Sequence, residues 1–229
     1  MSWGEIELEP EVVEWFGSLT EEEQARVGLH VDRLAGSGPL LDEPHTKQLD
    51  GKFRELRFFL GSRPTRITYS IAPGRVIVLL TVFTKTRHNE RREVERAWRA
   101  MARCMNARND RRRAMSTRTK WTAIDRPDSD LVRAAAEDEA RISPFRELVF
   151  RLRTEAGLTQ AELARRMGTT QSAIARIEGG GARPSLDTLE RLAAAVGKEL
   201  VVGVGDSLSE NRSIAKLVRD GHAVVRAAS

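Results

Sequence analysis

Cysteine is almost absent from this sequence of 229 residues: Cys104 stands alone. One thiol closes no internal disulfide and supplies no cysteine zinc site of the usual spacing. It falls on the apolar side of an expected helix, where a thiol packs as an inert small hydrophobe. Long apolar runs are also missing, which excludes a membrane-spanning helix. Met1 to Glu5 has neither the basic region nor the apolar core of a secretory signal. No cluster of His, Cys, Asp and Glu suggests a metal site, no cofactor is expected, and no internal repeat is visible. A cytoplasmic globular protein is the simplest expectation, with apolar (40%) and charged (31%) fractions ordinary for that class.

Charge is present but unevenly spread. Residues 1–50 hold 3 Lys+Arg against 12 Asp+Glu, and residues 51–114 hold 17 against 5. A basic half of this kind is either a solvated surface or a face that binds phosphates, and we favour the second. Composition shifts again over residues 106–130, through Arg111-Arg112-Arg113 and then Met115-Ser116-Thr117-Arg118. That run reads as a junction between two fused reading frames, or as a plain linker; a domain boundary follows either way. The expected domains are residues 1–106, a linker or junction over 107–127, and residues 128–229.

The first half reads as α+β. Ile6 and Leu8 alternate with Glu5, Glu7 and Glu9, as in a short strand. A helix is expected from Pro10 to Phe16. Thr20 and Glu23 form a capping box for a second helix running to about Ala35 and stopped by Gly36-Ser37-Gly38-Pro39. Three strands are expected near Phe53–Leu60, Arg66–Ile71 and Val76–Lys85, the last apolar on both faces and so central. An amphipathic helix follows from Asn89 to Met105, with Val94, Ala97, Trp98 and Met101 inward. The expected order is β-α-α-β-β-β-α. Alternation puts Arg57 on one face with Phe53, Glu55 and Phe59, and Arg66 opposite Ile67, Tyr69 and Ile71. Trp3, Trp15, Trp98 and Tyr69 are expected in the core.

That order, with Phe53-Arg54-Glu55-Leu56-Arg57, Arg66-Ile67-Thr68-Tyr69 and Phe83-Thr84-Lys85-Thr86, resembles the RelE/HigB toxins, in particular the phage-derived HigB branch, over nearly all of residues 3–104. Such toxins cut messenger RNA, usually in the ribosomal A site, without a metal. The reaction needs a base for the ribose 2′ proton, cations for the charged phosphorane and an acid for the leaving 5′ oxygen. The resemblance implies that Arg57 and Arg66 clamp phosphate, and that Lys85 is a further cation or an acid/base group. His88 is placed for a general base at neutral pH, or is a solvated loop residue. His45 is the other histidine expected near the cleft. Lys47, Lys52, Arg54 and Arg87 are the expected RNA-backbone contacts. Thr86 departs from the family, where Lys or Arg is common, and Pro often stands at Arg91 or Arg92.

The second half carries the sharper signal, Thr159 to Glu178. Thr159 and Thr170 are each placed to cap a helix. Leu163 and Met167, then Ile174 and Ile177, give each helix one apolar side. Ala164 is small where the helices cross, and Gly168 sits at the turn. Gln171, Ser172 and Ala173 open the second helix as exposed positions able to meet base edges. The segment resembles the helix-turn-helix of the Cro/phage-repressor superfamily over residues 143–198, with helices expected at Phe145–Ala156 and Leu186–Val196 and a link of Gly179-Gly180-Gly181 before Arg183-Pro184-Ser185. The expected DNA contacts are Gln160, Thr170, Gln171, Ser172, Arg176 and Arg183, with Gln160 on phosphate as the resemblance implies. A helix is expected from Asp128 to Ala140, a short strand from Glu199 to Val204, and a terminal helix from Glu210 to Asp220.

HigB-type toxins typically stand directly before a HigA-type helix-turn-helix antitoxin, which is the order here. The expectation is therefore a toxin–antitoxin module in one chain: an N-terminal, metal-independent mRNA endoribonuclease and a C-terminal operator-binding autorepressor that neutralises it. Expected partners are mRNA and the ribosome, operator DNA, the two domains with each other in cis or trans, and a second copy of the chain; no membrane is expected. The main alternative is a DNA-binding transcriptional regulator whose toxin-like domain is inactive. A weaker one is a repressor fused to an unrelated ligand-sensing domain.

Overall fold

The computed structural model describes residues 2–85, 90–109, 118–125, 127–202, 212–220 and 222. It divides into two compact units, Met1–Asp138 and Glu139–Ser229.

The first unit is a mixed sheet with helices on both faces. Its elements are β1 (Glu5–Leu8), α1 (Pro10–Gly17), α2 (Glu21–Ser37), β2 (Thr46–Asp50), β3 (Phe53–Leu60), β4 (Arg63–Ala72), β5 (Val76–Thr84), α3 (Glu90–Asn109) and β6 (Thr119–Lys120). The strand order is β2-β3-β4-β5-β1-β6. β1 runs parallel to β5, and every other neighbour is antiparallel. The parallel pair follows from the two helices that carry the chain across the sheet between them. Pro10 starts α1, where its missing N–H costs nothing. The Thr20–Glu23 capping box is formed and opens α2. α2 stops at Gly38, whose φ of +54° suits glycine and where a side chain would strike the Trp3 ring.

Two apolar layers hold this unit. On one face Leu56, Phe58, Leu60, Ile67, Tyr69, Ile77 and Leu79 pack under α1 and α2 with Phe16, Val27, Val31 and Leu34. On the other, Phe53, Val78 and Leu80 meet Ala97 and Ala100 of α3. Trp98 departs from expectation: it is 43% exposed and touches Phe53 edge-on at 4.7 Å. The small Ala97 and Ala100 fill the contact line, which leaves the indole at the rim.

The expected order lacked two strands. β2 contains a single large apolar residue, Leu49, and exists through its ladder with β3. β6 is two residues long and lies in the stretch expected as linker. It pairs with β1, while Arg118 bonds Glu7 at 3.0 Å and Glu9 at 2.8 Å, and Lys120 meets Glu5 at 3.1 Å. Trp121 follows it into the core, donating from Nε1 to Asp32 at 2.7 Å and standing edge-on to Phe16 at 5.2 Å. Neither strand has a local pattern, because each depends on a partner distant in sequence.

In the second half, α4 (Ser129–Glu155) is one helix where two were expected. Pro144 lies inside it, where it has no N–H to give the Ala140 carbonyl. α5 (Gln160–Arg166), α6 (Gln171–Glu178) and α7 (Leu186–Ala195) follow, and α8 (Arg212–Arg219) closes the described chain. Val149, Leu152, Leu158, Leu163, Met167, Ile174, Ile177 and Leu192 form one core. The strand expected at 199–204 is not formed over its described part: residues 199–202 are irregular, with Val201 and Val202 exposed. β-branched residues favour a strand only where a neighbouring strand offers a ladder. Residues 203 and 204 lie outside the described residues.

Candidate nucleic-acid interfaces

In the first unit, cross-strand register brings expected site residues to one sheet face. Lys47 of β2 stands opposite Glu55 of β3, which stands opposite Thr68 of β4 and, through it, Thr81 of β5. The next row is Arg57, Arg66 and Phe83. A bulge at Leu80 shifts the parity of β5, so Thr81 and Phe83 rise on the face of Arg66. Lys85 follows β5, with its N–H on the Pro64 carbonyl at 2.8 Å.

Arg57 and Arg66 are direct cross-strand partners, and like charges so placed repel. Glu55 lies between them. Its Oε1 is 3.4 Å from Arg57 Nε and 3.8 Å from Arg66 Nε, and the side chain is 2% exposed. The two arginines differ in access: the Arg57 side chain is 23% exposed and that of Arg66 7%. Arg66 also donates from Nη1 to the carbonyls of Thr65 at 2.8 Å and Phe58 at 3.4 Å. The geometry therefore leaves Arg57 the more open cation and sinks Arg66 into the sheet. At the neighbouring positions, Glu55 Oε2 and the hydroxyls of Thr68 and Thr81 are buried without a hydrogen-bond partner among the described residues.

The other expected residues separate. Arg54 projects to the opposite face, because it neighbours Glu55 along the strand. There it donates to the Leu41 carbonyl at 3.2 Å and Thr46 Oγ1 at 3.0 Å, with Asp42 at 3.6 Å. Beside it is Tyr69, in the core as expected. Burial pushes its phenol above the ordinary value of 10.0, and the Arg54 charge pulls against that. Lys52 is exposed in the turn between β2 and β3. The buried His45 ring accepts from Arg33 Nη1 of α2 at 3.2 Å, and buried His30 stacks on Phe58 at 4.7 Å. Thr86, Arg87 and His88, and the side chains of Arg91 and Cys104, lie outside the described residues. Among the described residues no group of three or more His, Cys, Asp or Glu is gathered for a metal, and no helix is long and apolar enough to cross a membrane.

The second unit builds a different surface. Thr159 Oγ1 accepts from the Glu162 N–H, and Glu162 returns the bond to the Thr159 N–H at 2.8 Å. The Thr159 N–H and the Thr159 hydroxyl, which donates to the same carboxylate at 2.7 Å, hold the Glu162 carboxyl below its ordinary value of 4.5. Thr170 Oγ1 accepts from the Ala173 N–H at 3.2 Å, so its hydroxyl anchors α6. Gly168 makes the turn at φ +61°. Gln171 and Ser172 are exposed at the start of α6, and Ala173 is half-buried. Arg176 is exposed and donates from Nε to the Gly181 carbonyl at 2.9 Å. Arg183 is exposed, with its guanidinium 5.3 Å from the centre of the Phe145 ring.

Behind this surface lie three residues that local pattern did not single out. Glu178 is 4% exposed and accepts from Arg153 Nε at 2.5 Å, Arg153 Nη2 at 3.0 Å and Gln160 Nε2 at 2.8 Å. It ties α4, α5 and α6 together. Gln160, expected on phosphate, thus has its amide N–H held inside the unit. Arg146 is 1% exposed and donates to the Gly179 carbonyl at 2.6 Å. It lies against Gly180, whose φ is +77° and where a side chain would strike the guanidinium. The signal in the sequence was an arginine at an inward helix position followed by a triple glycine.

Comparison with known proteins agrees with this division. Residues 14–102 match the family model described as phage derived protein Gp49-like. Residues 149–202 match the Helix-turn-helix family model. An uncharacterized HTH-type transcriptional regulator of Methanothermobacter thermautotrophicus is 46% identical over 55 residues, 24% of this chain and 80% of that protein. Through its second unit the chain belongs to the helix-turn-helix family, and it carries a Gp49-like segment ahead of that domain.

Proposed function

We propose that the chain is a toxin–antitoxin module of the HigB–HigA type, with an RNA-cleaving first unit and an operator-binding, autorepressing second unit. The observation that carries this reading is a cationic row of Arg57 and Arg66, with Lys47 in the row beside it, in the same chain as a capped helix that exposes Gln171 and Ser172. The second unit binds a palindromic operator as a two-fold dimer and lays α6 in the major groove. Gln171 and Ser172 read base edges, while Arg176 and Arg183 meet backbone phosphates. In the first unit, Arg57, with Arg66 behind it and Lys85 at the strand end, stabilises the phosphorane formed when the ribose 2′-OH attacks the adjacent phosphate. Messenger RNA, in the ribosomal A site, is the substrate.

A second reading is favoured by the burial of Arg66 and its bonds to two backbone carbonyls. An arginine so engaged is a structural residue, and the first unit would then be an inactive module of a DNA-binding regulator. Growth and messenger RNA integrity decide between them. Under the nuclease reading, induced residues 1–138 arrest growth and cleave messenger RNA with chelator present, and the full chain does so far less. Equal growth with intact RNA supports the inactive module. The fragment must include Trp121, since cutting at residue 114 removes a core side chain.

A further inference from the structure

Glu55 is a carboxylate with no place in the cleavage scheme, yet it lies at the centre of the cationic row. Two guanidiniums face it, that of Arg57 two residues along β3 and that of Arg66, the cross-strand partner of Arg57, and Lys47 stands opposite it in the ladder on β2. Its Oε1 faces both guanidinium Nε atoms at 3.4 and 3.8 Å in ion-pair contacts that are not hydrogen bonds, and Oε2 has no hydrogen-bond partner among the described residues. Charge, not hydrogen bonding, therefore holds this carboxylate in place. A carboxylate left with 2% of its surface exposed is tolerated only beside opposite charge. Two arginines directly opposite each other in a ladder are tolerated only beside a negative one.

We propose that Glu55 is the internal counter-ion of a phosphate-binding arginine pair, holding Arg57 and Arg66 side by side while no phosphate is bound. This rests on the reading of that face as a phosphate site. Arg57 keeps part of its surface open, so an incoming phosphate meets it from outside while Glu55 neutralises the pair from within. The same carboxylate repels the phosphate and keeps its affinity low. Thr68, whose buried hydroxyl makes no hydrogen bond among the described residues, is the cross-strand neighbour of Glu55 in the same row. Glu55 is a positioning residue: it does not touch RNA.

The test is thermal unfolding of the full chain in inorganic phosphate against chloride at matched ionic strength, for wild type, Glu55→Gln, Arg57→Met and the double variant. Removing the internal charge should tighten phosphate binding about tenfold, so phosphate should raise the Tm of Glu55→Gln well beyond that of wild type. The added response should vanish in the double variant, and the double variant should melt above Glu55→Gln in chloride. An equal phosphate response in wild type and Glu55→Gln overturns the proposal, as does a double variant no more stable than Glu55→Gln. If Glu55→Gln fails to fold in chloride, folding in phosphate supports the proposal. Failure of both Glu55→Gln and the double variant in both salts, with Arg57→Met folded, overturns it, because Glu55 would then be needed for some other reason. None of these outcomes depends on RNA cleavage, so a wild type that cuts no RNA counts against the nuclease reading alone.

Discussion

The cationic row of the first unit and the opening of α6 in the second use polar residues in opposite ways. In the sheet, charges are sunk: Arg66 and Glu55 are buried, and Arg57 and Lys47 are half-buried. In the helix-turn-helix the buried charges, Arg146, Arg153 and Glu178, lie behind the surface, and α6 opens with the exposed, neutral Gln171 and Ser172. A surface that must read bases needs donors and acceptors free to choose partners. A surface that must hold one phosphate needs cations fixed in advance, which is why counter-charge accompanies them.

The largest expected effects test the frames behind the two surfaces. Glu178→Ala should cost about 3–5 kcal/mol in chemical denaturation, because it leaves Arg153 buried without its carboxylate. Trp121→Ala should cost about as much through the cavity it opens. If Trp121→Ala is neutral, the segment after residue 118 is not part of the first unit's core. Next is Arg57→Ala, which should slow RNA cleavage about a hundredfold, on the order of 3 kcal/mol, while costing less stability than Arg66→Ala, since the more buried Arg66 stays beside Glu55. Arg66→Ala should lower stability and cleavage together. A stable, inactive Arg66→Ala would make Arg66 a direct phosphate contact and erase the difference between the two arginines.

A smaller effect separates readers from anchors within the helix-turn-helix. Gln171→Ala should relax preference at one or two base positions by about 1–3 kcal/mol. Arg183→Ala should weaken all sequences alike and flatten the salt dependence in gel shifts. Unchanged preference in Gln171→Ala would show that α6 is not the reader. The smallest effects are the pH limits, and they have opposite signs. Glu162 has a folded pKa below its ordinary 4.5, so the cap's contribution is whole above 4.5 and is lost as pH falls through the lowered value. Tyr69 has a folded pKa above 10.0, so its contribution is whole below 10.0 and is lost as pH rises through the raised value. Tyr69 is the one tyrosine, so tyrosinate absorbance reports it directly. Titration at the ordinary value would place its phenol in water.

Legibility followed sequence distance. The caps Thr20, Thr159 and Thr170 could be read because a cap and its N–H lie three residues apart. β3 matched its expected span of Phe53–Leu60 because a buried strand writes its own pattern. β2 and β6 escaped notice because pairing, not propensity, makes them. Alternation set Arg66 opposite the core residues Ile67 and Tyr69, as the sheet has it, but applied to Arg54 it should have removed that residue from the RNA face. The carboxylate was harder to find, since nothing in Phe53-Arg54-Glu55-Leu56-Arg57 says that Arg66 arrives opposite Arg57.

By itself, the sequence determined the α+β class of the first half, the helix-turn-helix of the second, their order, and which residues cap α2, α5 and α6. These follow from spacings of two to four residues along one stretch of backbone. Only the tertiary structure decided which charges are sunk and which are open. It set Glu55 between two arginines, locked Gln160 and Arg153 onto Glu178, pressed Gly180 against Arg146, and turned residues 118–121 from expected linker into sheet edge and core. Burial and pairing are properties of surfaces brought together from distant positions. The charge of a side chain is legible in the sequence, but its access to a phosphate depends on what packs around it.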